Sequence, residues 1–343
     1  TFQQIKRYSL ILFLKTCLQL ILVGVPVIAG YGIFGAVVGL LVTNLVLYLT
    51  MDAIIISEIG VAVPKFGHLR GYLSFGLPTV PGNLSSWVVN SSDRYVIALF
   101  LGTAYVGYYS PGYTLGNVVS MFIAPLSFML PAVLSKHYDD GNLKDVETVL
   151  SYSMKYFLAL SIPSVVGLSL LSKPLLTILS TPEIVEQGYL ITPFMALGGL
   201  LFGLYAIITQ ILVLEKKTGI TGTIWIVAAV LNLGLNIIFV PRIGIVGAAA
   251  TTLFVYSLAF VLSVYYSFRY LVFPIDVSFI LKCLVAAAIM SVVVIIGGSQ
   301  MSGGLMDIIL LVGVSALVYG VGLFILRGFK KEEIRFFRGL LRA

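Results

Sequence analysis

The sequence predicts an all-α, polytopic membrane protein, and three observations support this fold class. Hydrophobic residues make up 59% of the 343 positions and charged residues only 10%, whereas a soluble domain carries about 25% charged residues. Apolar runs of about 20 residues, long enough to cross a hydrocarbon core as a helix, recur along the whole chain. The two cysteines, Cys17 and Cys283, lie inside such runs, so neither a disulfide framework nor a thiolate metal site is expected.

The apolar runs, and the Gly, Pro and polar residues that separate them, predict about ten membrane-spanning helices. The first follows a short polar lead, and only a turn at 30–31 separates it from the second. Glycines and prolines between 76 and 82 kink or loosen the third. Tight turns at 102–105 and 241–243 separate two further pairs. The predicted helices cover 8–29, 32–54, 71–101, 106–134, 149–171, 188–213, 219–240, 244–271, 278–298 and 305–327.

The loops between these helices are short. The only loops of moderate length on one side of the membrane are 55–70 and 135–148, and the longest on the other side is about 172–187. None is large enough for an extramembrane catalytic domain, and the sequence carries no P-loop, H-E-x-x-H, G-x-S-x-G or paired-cysteine motif. We therefore expect no enzymatic activity, no catalytic or metal-binding residues and no cofactor.

Basic residues are concentrated near one set of loops, which the positive-inside rule places in the cytoplasm. Lys173, Arg242 and, if it lies at the interface, Arg94 are near the other set. Both ends of this chain are then cytoplasmic, in a multi-pass protein of the inner cell membrane. The net charge of +7 is explained by this topology and by anionic lipid, so no nucleic-acid partner is expected. The basic set comprises Lys6, Arg7, Lys65, Arg70, Lys136, Lys144, Lys216, Lys217, Arg269, Lys282, Arg327, Lys330, Lys331, Arg335, Arg338 and Arg342. The tail at 330–343 is either a short helix on the inner leaflet or a solvated segment.

A short motif occurs twice and suggests an internal repeat. Gly32-Ile-Phe-Gly-Ala36 and Gly244-Ile-Val-Gly-Ala248 each open an apolar helix after an outer turn, at an offset of 244 − 32 = 212 residues. About six helices occupy that length, so the pattern favours two parallel six-helix units, a feature of secondary transporters. The alternative is a common turn-into-helix packing motif, because Gly and Ala let membrane helices approach closely.

Three segments resemble the polysaccharide-export flippases of the multidrug/oligosaccharidyl-lipid/polysaccharide (MOP) superfamily, which also contains the multidrug and toxin extruders. They are SSWVVNSSDRYVIALFLGTAYVGYYSPGYTLGNVV at 85–119, FMLPAVLSK at 128–136 and LNLGLNIIFVPRIGIVGAAATT at 231–252. The resemblance implies a two-lobe transporter fold, with about four helices expected before Thr1. Residues 1–70 would be the last two helices of the first lobe and the inter-lobe loop, 71–272 the six-helix second lobe, and 273–343 two additional helices and a basic tail.

Polar residues recur at helical spacing along the third predicted helix, and such a stripe should face a wet cavity or the partner lobe because exposure to lipid is costly. The resemblance implies a cationic cavity that receives the substrate's pyrophosphate, with Arg94 best placed to bind it. Asp93 would occupy a position where cation-coupled relatives keep an acidic residue. Alternatively, Asp93 and Arg94 pair locally at the outer interface. The stripe comprises Asn83, Ser86, Asn90, Asp93 and Arg94.

Four further residues are candidates for the same cavity. Lys15 and Lys155 lie early in their helices and either present an ammonium to phosphate or extend to the lipid headgroups. Asn232 and Asn236, one turn apart, either hydrogen-bond between helices or contact substrate. Tyrosines 105, 108, 109 and 113 are predicted to form an interfacial aromatic belt.

The function that the resemblance implies is the flipping of a lipid-linked oligosaccharide or polysaccharide repeat unit from the cytoplasmic to the outer leaflet by alternating access. The expected partners are a polyprenyl-(pyro)phosphate-linked glycan, membrane lipids and glycan-assembly proteins. A cation-coupled drug or toxin extruder of the same superfamily is the first alternative, although the intramembrane charges lean basic. A membrane-embedded glycosyltransferase or polymerase is the second, although the outer loops are short for one.

Overall fold

The computed structural model describes residues 5–60, 80–300 and 304–329. All regular structure in these ranges is helical. The chain divides into two compact units, Thr1–Tyr72 and Leu73–Ala343. The predictions for the loop residues Lys65 and Arg70, for the start of the third helix and for the tail at 330–343 fall outside the described residues.

The first unit is a helical hairpin. Helix α1 (Ile5–Pro26) ends in a short π-helical turn, Val27–Tyr31, and α2 (Gly32–Ile59) returns alongside it. The helices touch at backbone level, because a Cβ atom on Gly39 would lie 2.1 Å from the carbonyl oxygen of Leu22. Close approach through small residues is how membrane helices gain packing energy without a hydrophobic driving force between them.

The second unit is a bundle of longer helices joined by short ones. Its elements are α3 (Val80–Phe100), α4 (Thr103–Asn117), a 3₁₀ segment (Val118–Ile123), α5 (Ala124–Asp139), α6 (Leu143–Leu170), α7 (Ser172–Leu179), α8 (Pro182–Gly188), α9 (Ile191–Ile208), α10 (Gln210–Leu214), α11 (Thr218–Ile243), α12 (Ile245–Ser267), α13 (Val277–Gln300) and α14 (Leu305–Ile325). Helix α9 packs closely against α4, since at the end of α4 a Cβ on Gly116 would lie 2.5 Å from the carbonyl oxygen of Thr192 at the start of α9.

The predicted spans agree with this architecture. Among the described residues, eight stretches are long and apolar enough to cross a membrane, and the first of them, Leu10–Glu58, covers most of both α1 and α2. Counting that stretch as two helices and adding the more polar α3 accounts for the ten predicted helices. The expected all-α membrane fold is confirmed.

Helix ends differ from the prediction where capping and proline act. Helix α6 begins at Leu143 rather than near 149, because the Asn142 side chain accepts a hydrogen bond from the backbone N–H of Asp145 at 3.3 Å. The predicted loop over 135–148 was therefore wrong, and only 140–142 separate α5 from α6. The fourth predicted helix is interrupted by the 3₁₀ segment and resumes at Ala124, next to Pro125, whose missing N–H suits a helix start. The predicted loop 172–187 contains α7 and α8.

The two repeated motifs begin with the same backbone turn. Gly32 has φ 54° and ψ −138°, and Gly244 has φ 70° and ψ −154°. Both lie in a region that strongly favours glycine, since a Cβ atom is strained at such positive φ values. This shared turn is consistent with an internal repeat, and the division into lobes remains a prediction.

Candidate functional site

Helix α3 carries the polar stripe predicted from its sequence. Asn83 is exposed, and Ser86, Asn90 and Arg94 are half-buried. Ser86 Oγ donates to the carbonyl oxygen of Asn83 at 2.9 Å, and Asn90 Nδ2 donates to that of Ser86 at 2.7 Å. These local bonds satisfy side-chain donors along the helix while leaving the stripe polar.

Asp93, unlike the other members of the stripe, is completely buried, with 0% exposure. The Tyr109 hydroxyl donates to its Oδ2 at 2.5 Å, and the backbone N–H of Arg94 donates to its Oδ1 at 2.8 Å. A guanidinium nitrogen of Arg94 is 3.7 Å from Oδ1. A buried carboxylate is tolerated only when it is paired and hydrogen-bonded, and Asp93 has both kinds of partner. The two charged residues therefore pair locally.

The Arg94 side chain contacts Asp93, Asn90 and Tyr113 but remains partly exposed. Its Nη1 donates to the carbonyl oxygen of Asn90 at 2.9 Å, and its guanidinium carbon is 4.3 Å from the centre of the Tyr113 ring. Its side chain is 32% exposed. A guanidinium has more N–H donors than these contacts use, and it matches phosphate oxygens in a planar, bidentate geometry. The arrangement can therefore present a fixed cation to an anionic ligand.

Asn90 connects this group to another helix, because its Oδ1 accepts a hydrogen bond from the Tyr256 hydroxyl of α12 at 2.7 Å. Contacts from three helices thus meet around Arg94. We call this group the arginine cluster. It comprises Asn90, Asp93 and Arg94 of α3, Tyr109 and Tyr113 of α4, and Tyr256 of α12.

Asn232 and Asn236 of α11 form a separate buried network. Ser92 Oγ donates to Asn232 Oδ1 at 2.8 Å, Asn236 Nδ2 donates to the same oxygen at 3.1 Å, and Asn232 Nδ2 donates to Thr252 Oγ1 at 3.4 Å. All four residues are buried. Ser92 links α3 to α11, and Thr252 links α11 to α12, so both asparagines make hydrogen bonds within the protein.

The two lysine candidates belong to other helices, α1 and α6. Lys15 is half-buried in α1, within the other unit. Lys155 is 7% exposed in α6, with its Nζ 4.7 Å from the centre of the Phe279 ring and 5.9 Å from that of Phe329. These rings belong to α13 and to the residues after α14, so Lys155 is not part of the arginine cluster.

Comparison with known proteins decides the family. A profile described as polysaccharide biosynthesis protein matches residues 1–184, more than half of the chain. The chain belongs to this family. The superfamily resemblance expected from the three motifs is thereby confirmed.

Two curated relatives and one solved structure are similar to this family member. It is 24% identical over 228 residues to a probable low-salt glycan biosynthesis flippase, Agl15, of Haloferax volcanii, a match covering 66% of the chain and 48% of the relative. It is 23% identical over 234 residues to an uncharacterised membrane protein of Methanocaldococcus jannaschii, covering 64% and 46%. The chain thus spans about half the length of these relatives. Lipid II flippase MurJ, in an inward closed conformation, has the same fold, with a TM-score of 0.74, 22% identity, and coverage of 92% of this chain and 67% of that one.

Sequence reasoning missed the tyrosines of this family member's arginine cluster. The aromatic-belt prediction is wrong for Tyr109 and Tyr113, which are 0% and 7% exposed and contact Asp93 and Arg94. Their spacing of four residues places both rings on one face of α4, and that was the available signal. Tyr256 gave no such signal, because its partner Asn90 lies 166 positions away in the chain.

Proposed function

We propose that this member of the polysaccharide biosynthesis family flips a polyprenyl-(pyro)phosphate-linked glycan from the cytoplasmic to the outer leaflet of the cell membrane. The observation that carries the proposal is Arg94, a cation on the polar stripe of α3 that is one-third exposed and held in place by its neighbours. The similarity to a probable glycan biosynthesis flippase supports the substrate class.

The phosphate of the substrate binds Arg94 in this proposal, and the sugars lie along the rest of the stripe. A charged residue within a membrane span indicates a ligand or a wet path, because an arginine at the centre of a bilayer costs about 3 kcal/mol. Its partner Asp93 is completely buried, and the exposed part of the pair is the cation. Asn83 and Ser86 provide amide and hydroxyl groups suited to sugar hydroxyls.

The wider mechanism is alternating access between two lobes, with 1–70 belonging to the first lobe, 71–272 forming the second and 273–343 appended. The basic ends of the helices, including Lys136, Lys144 and Lys216, support a cytoplasmic location for both ends of the chain. Glycan-assembly proteins are the proposed partners, and no catalytic step is part of the proposal.

Transport by the full-length protein tests the assignment. The protein is reconstituted in liposomes containing a fluorescent polyprenyl-pyrophosphate oligosaccharide, and the outer-leaflet appearance of the probe is followed with time. We expect Arg94→Gln to slow flipping by roughly tenfold to a hundredfold, because a charge-assisted hydrogen bond contributes about 1.5–3 kcal/mol. Arg94→Lys should retain part of the rate because it keeps the charge and loses the bidentate geometry.

Arg242→Gln is the matched control, since Arg242 is an exposed arginine in the last turn of α11. The Arg242→Gln protein should flip the probe at the same rate as the unmodified protein. Equal flipping by the Arg94→Gln and Arg242→Gln proteins would contradict phosphate recognition at Arg94. Ion-coupled efflux of a dye without movement of the lipid-linked glycan would instead identify an extruder.

A further inference from the structure

A second polar site lies at the end of the bundle where α6 begins and α12 ends. A pocket of about 410 Å³ is formed there by one face of α6 and by the segment that precedes α13. We call it the polar pocket. Its lining residues are Thr148, Ser151, Tyr152, Lys155, Pro274, Ile275 and Asp276.

An apolar groove of about 600 Å³ adjoins the polar pocket. Its walls come from α6, α9, α12 and the start of α13, and they include Leu158, Leu204, Phe260, Val264 and Ile280. Ile275 lines both spaces, and a small cavity between them is lined by residues of both. A polar pocket next to an apolar groove matches the two parts of an amphiphile.

The groove opens toward the outside of the bundle, because Val261 and Tyr265 on its rim are 58% and 56% exposed. Because α12 is long and apolar enough to cross a membrane, we infer that this surface faces lipid. The rim also carries positive charge, since the Arg269 guanidinium donates to the Tyr265 hydroxyl and lies 4.3 Å from the centre of its ring.

The polar pocket contains both signs of charge. Lys155 is buried, and the Phe279 ring face 4.7 Å away supports its ammonium. Asp276 caps α13 by accepting the backbone N–H of Phe279 at its Oδ1, 2.9 Å away. A carboxylate accepts several hydrogen bonds, so Asp276 can bind a cation while it caps the helix. A zwitterion with a phosphate and an ammonium is therefore complementary to the pocket.

We propose that this site binds one aminophospholipid of the surrounding membrane. Its phosphate lies at Lys155, its headgroup ammonium lies at Asp276, and one hydrocarbon chain occupies the apolar groove. The site shares no residue with the arginine cluster, so this lipid is a resident ligand distinct from the proposed transported glycan. By filling the space between α6, α12 and α13, the lipid stabilises the attachment of α13 to the bundle.

Lipid binding is measured by native mass spectrometry of the full-length protein in detergent, with phosphatidylethanolamine as the probe. Phosphatidylcholine, phosphatidylglycerol and inorganic phosphate are the comparison ligands. We expect phosphatidylethanolamine to bind most tightly, and Lys155→Met to weaken its binding by roughly tenfold. Lys155→Arg should restore most of the affinity. Val264→Trp, which fills the groove, should also weaken binding.

Asp276→Asn isolates the headgroup contact, because asparagine still caps a helix and so preserves the start of α13. This variant should bind phosphatidylethanolamine and phosphatidylcholine equally. Lys173→Met is the matched control, since Lys173 is an exposed lysine near an aromatic ring, 5.8 Å from the centre of Tyr189, and lies outside the site. Thermal unfolding of each variant shows whether it is folded.

Three results would overturn the proposal. If the folded Lys155→Met protein binds phosphatidylethanolamine as tightly as the unmodified protein, Lys155 is not the phosphate contact. Tighter binding of phosphatidylglycerol would replace the aminophospholipid with an anionic lipid, and Lys155-dependent binding of inorganic phosphate that is insensitive to Val264→Trp would indicate a free anion site. The readout is binding rather than transport, so failure here and failure of the proposed flipping are distinguishable.

Discussion

Tyr109→Phe tests whether the buried carboxylate of the arginine cluster depends on its tyrosine partner. The substitution removes one hydroxyl that donates to Asp93 Oδ2 at 2.5 Å and leaves the ring in place. Asp93 and Tyr109 are both 0% exposed, so water does not readily replace the lost donor. A hydrogen bond to a charged group contributes about 1.5–3 kcal/mol. Because the backbone N–H of Arg94 still satisfies Oδ1, we expect a loss of about 2 kcal/mol in the free energy of unfolding.

The assay is reversible unfolding of the full-length protein in mixed detergent micelles, compared with Tyr105→Phe on the same helix. Tyr105 is 38% exposed, and its variant should differ from the unmodified protein by less than about 0.5 kcal/mol. In an Asp93→Ala background the effect of Tyr109→Phe should largely vanish, since contacting residues are energetically coupled. Equal stability of the Tyr109→Phe and Tyr105→Phe proteins would refute the view that this bond stabilises the buried charge.

Two further substitutions, one in each unit, test the contacts between helices. Gly39→Ala should destabilise the α1–α2 hairpin by about 1–3 kcal/mol, because its Cβ would lie 2.1 Å from the Leu22 carbonyl oxygen and force the helices apart. A Cβ atom on Gly24 would meet no described atom within 4 Å, so Gly24→Ala should be nearly neutral in the same unfolding assay. Equal destabilisation by Gly39→Ala and Gly24→Ala would contradict the explanation by close helix contact. Asn232→Ala should cost about 1 kcal/mol by breaking the buried network between helices. The loss should shrink in an Asn236→Ala background, and undiminished additivity would show that the two amides do not interact.

Much of the fold could be predicted because lipid restricts what a chain can do. A span needs about 20 apolar residues with all of its backbone groups bonded internally, so composition alone locates most helices. Helix ends depend on finer chemistry. Asn142 extends α6 toward its N-terminus through one side-chain bond, and Pro125 marks the place where the chain resumes as α5 after a 3₁₀ segment. Hydropathy averaged over a window does not register single contacts of this kind.

The candidate site was predictable only in part. The stripe on α3 follows from helical periodicity, because its members are three or four positions apart in one segment. The residues that hold the stripe come from other helices, and Ser92 meets Asn232 across 140 positions of chain. From the sequence, both Lys155 and Arg94 were cationic candidates for the same cavity. Tertiary packing separates them, placing one against Phe279 and the other against Tyr113.

The arginine cluster also constrains how transport can occur in the proposed mechanism. Tyr113 of α4 and Asn90 of α3 both contact Arg94, and Tyr256 of α12 holds Asn90. The direction of the guanidinium is therefore fixed relative to three helices at once. Swinging the side chain alone would break the cation–π contact and the hydrogen bond together. Suppose that Arg94 binds the phosphate both when the cavity opens to the cytoplasm and when it opens to the outside. Then α3, α4 and α12 must move as one block. A cross-link that joins α3 to α12 should therefore leave flipping intact.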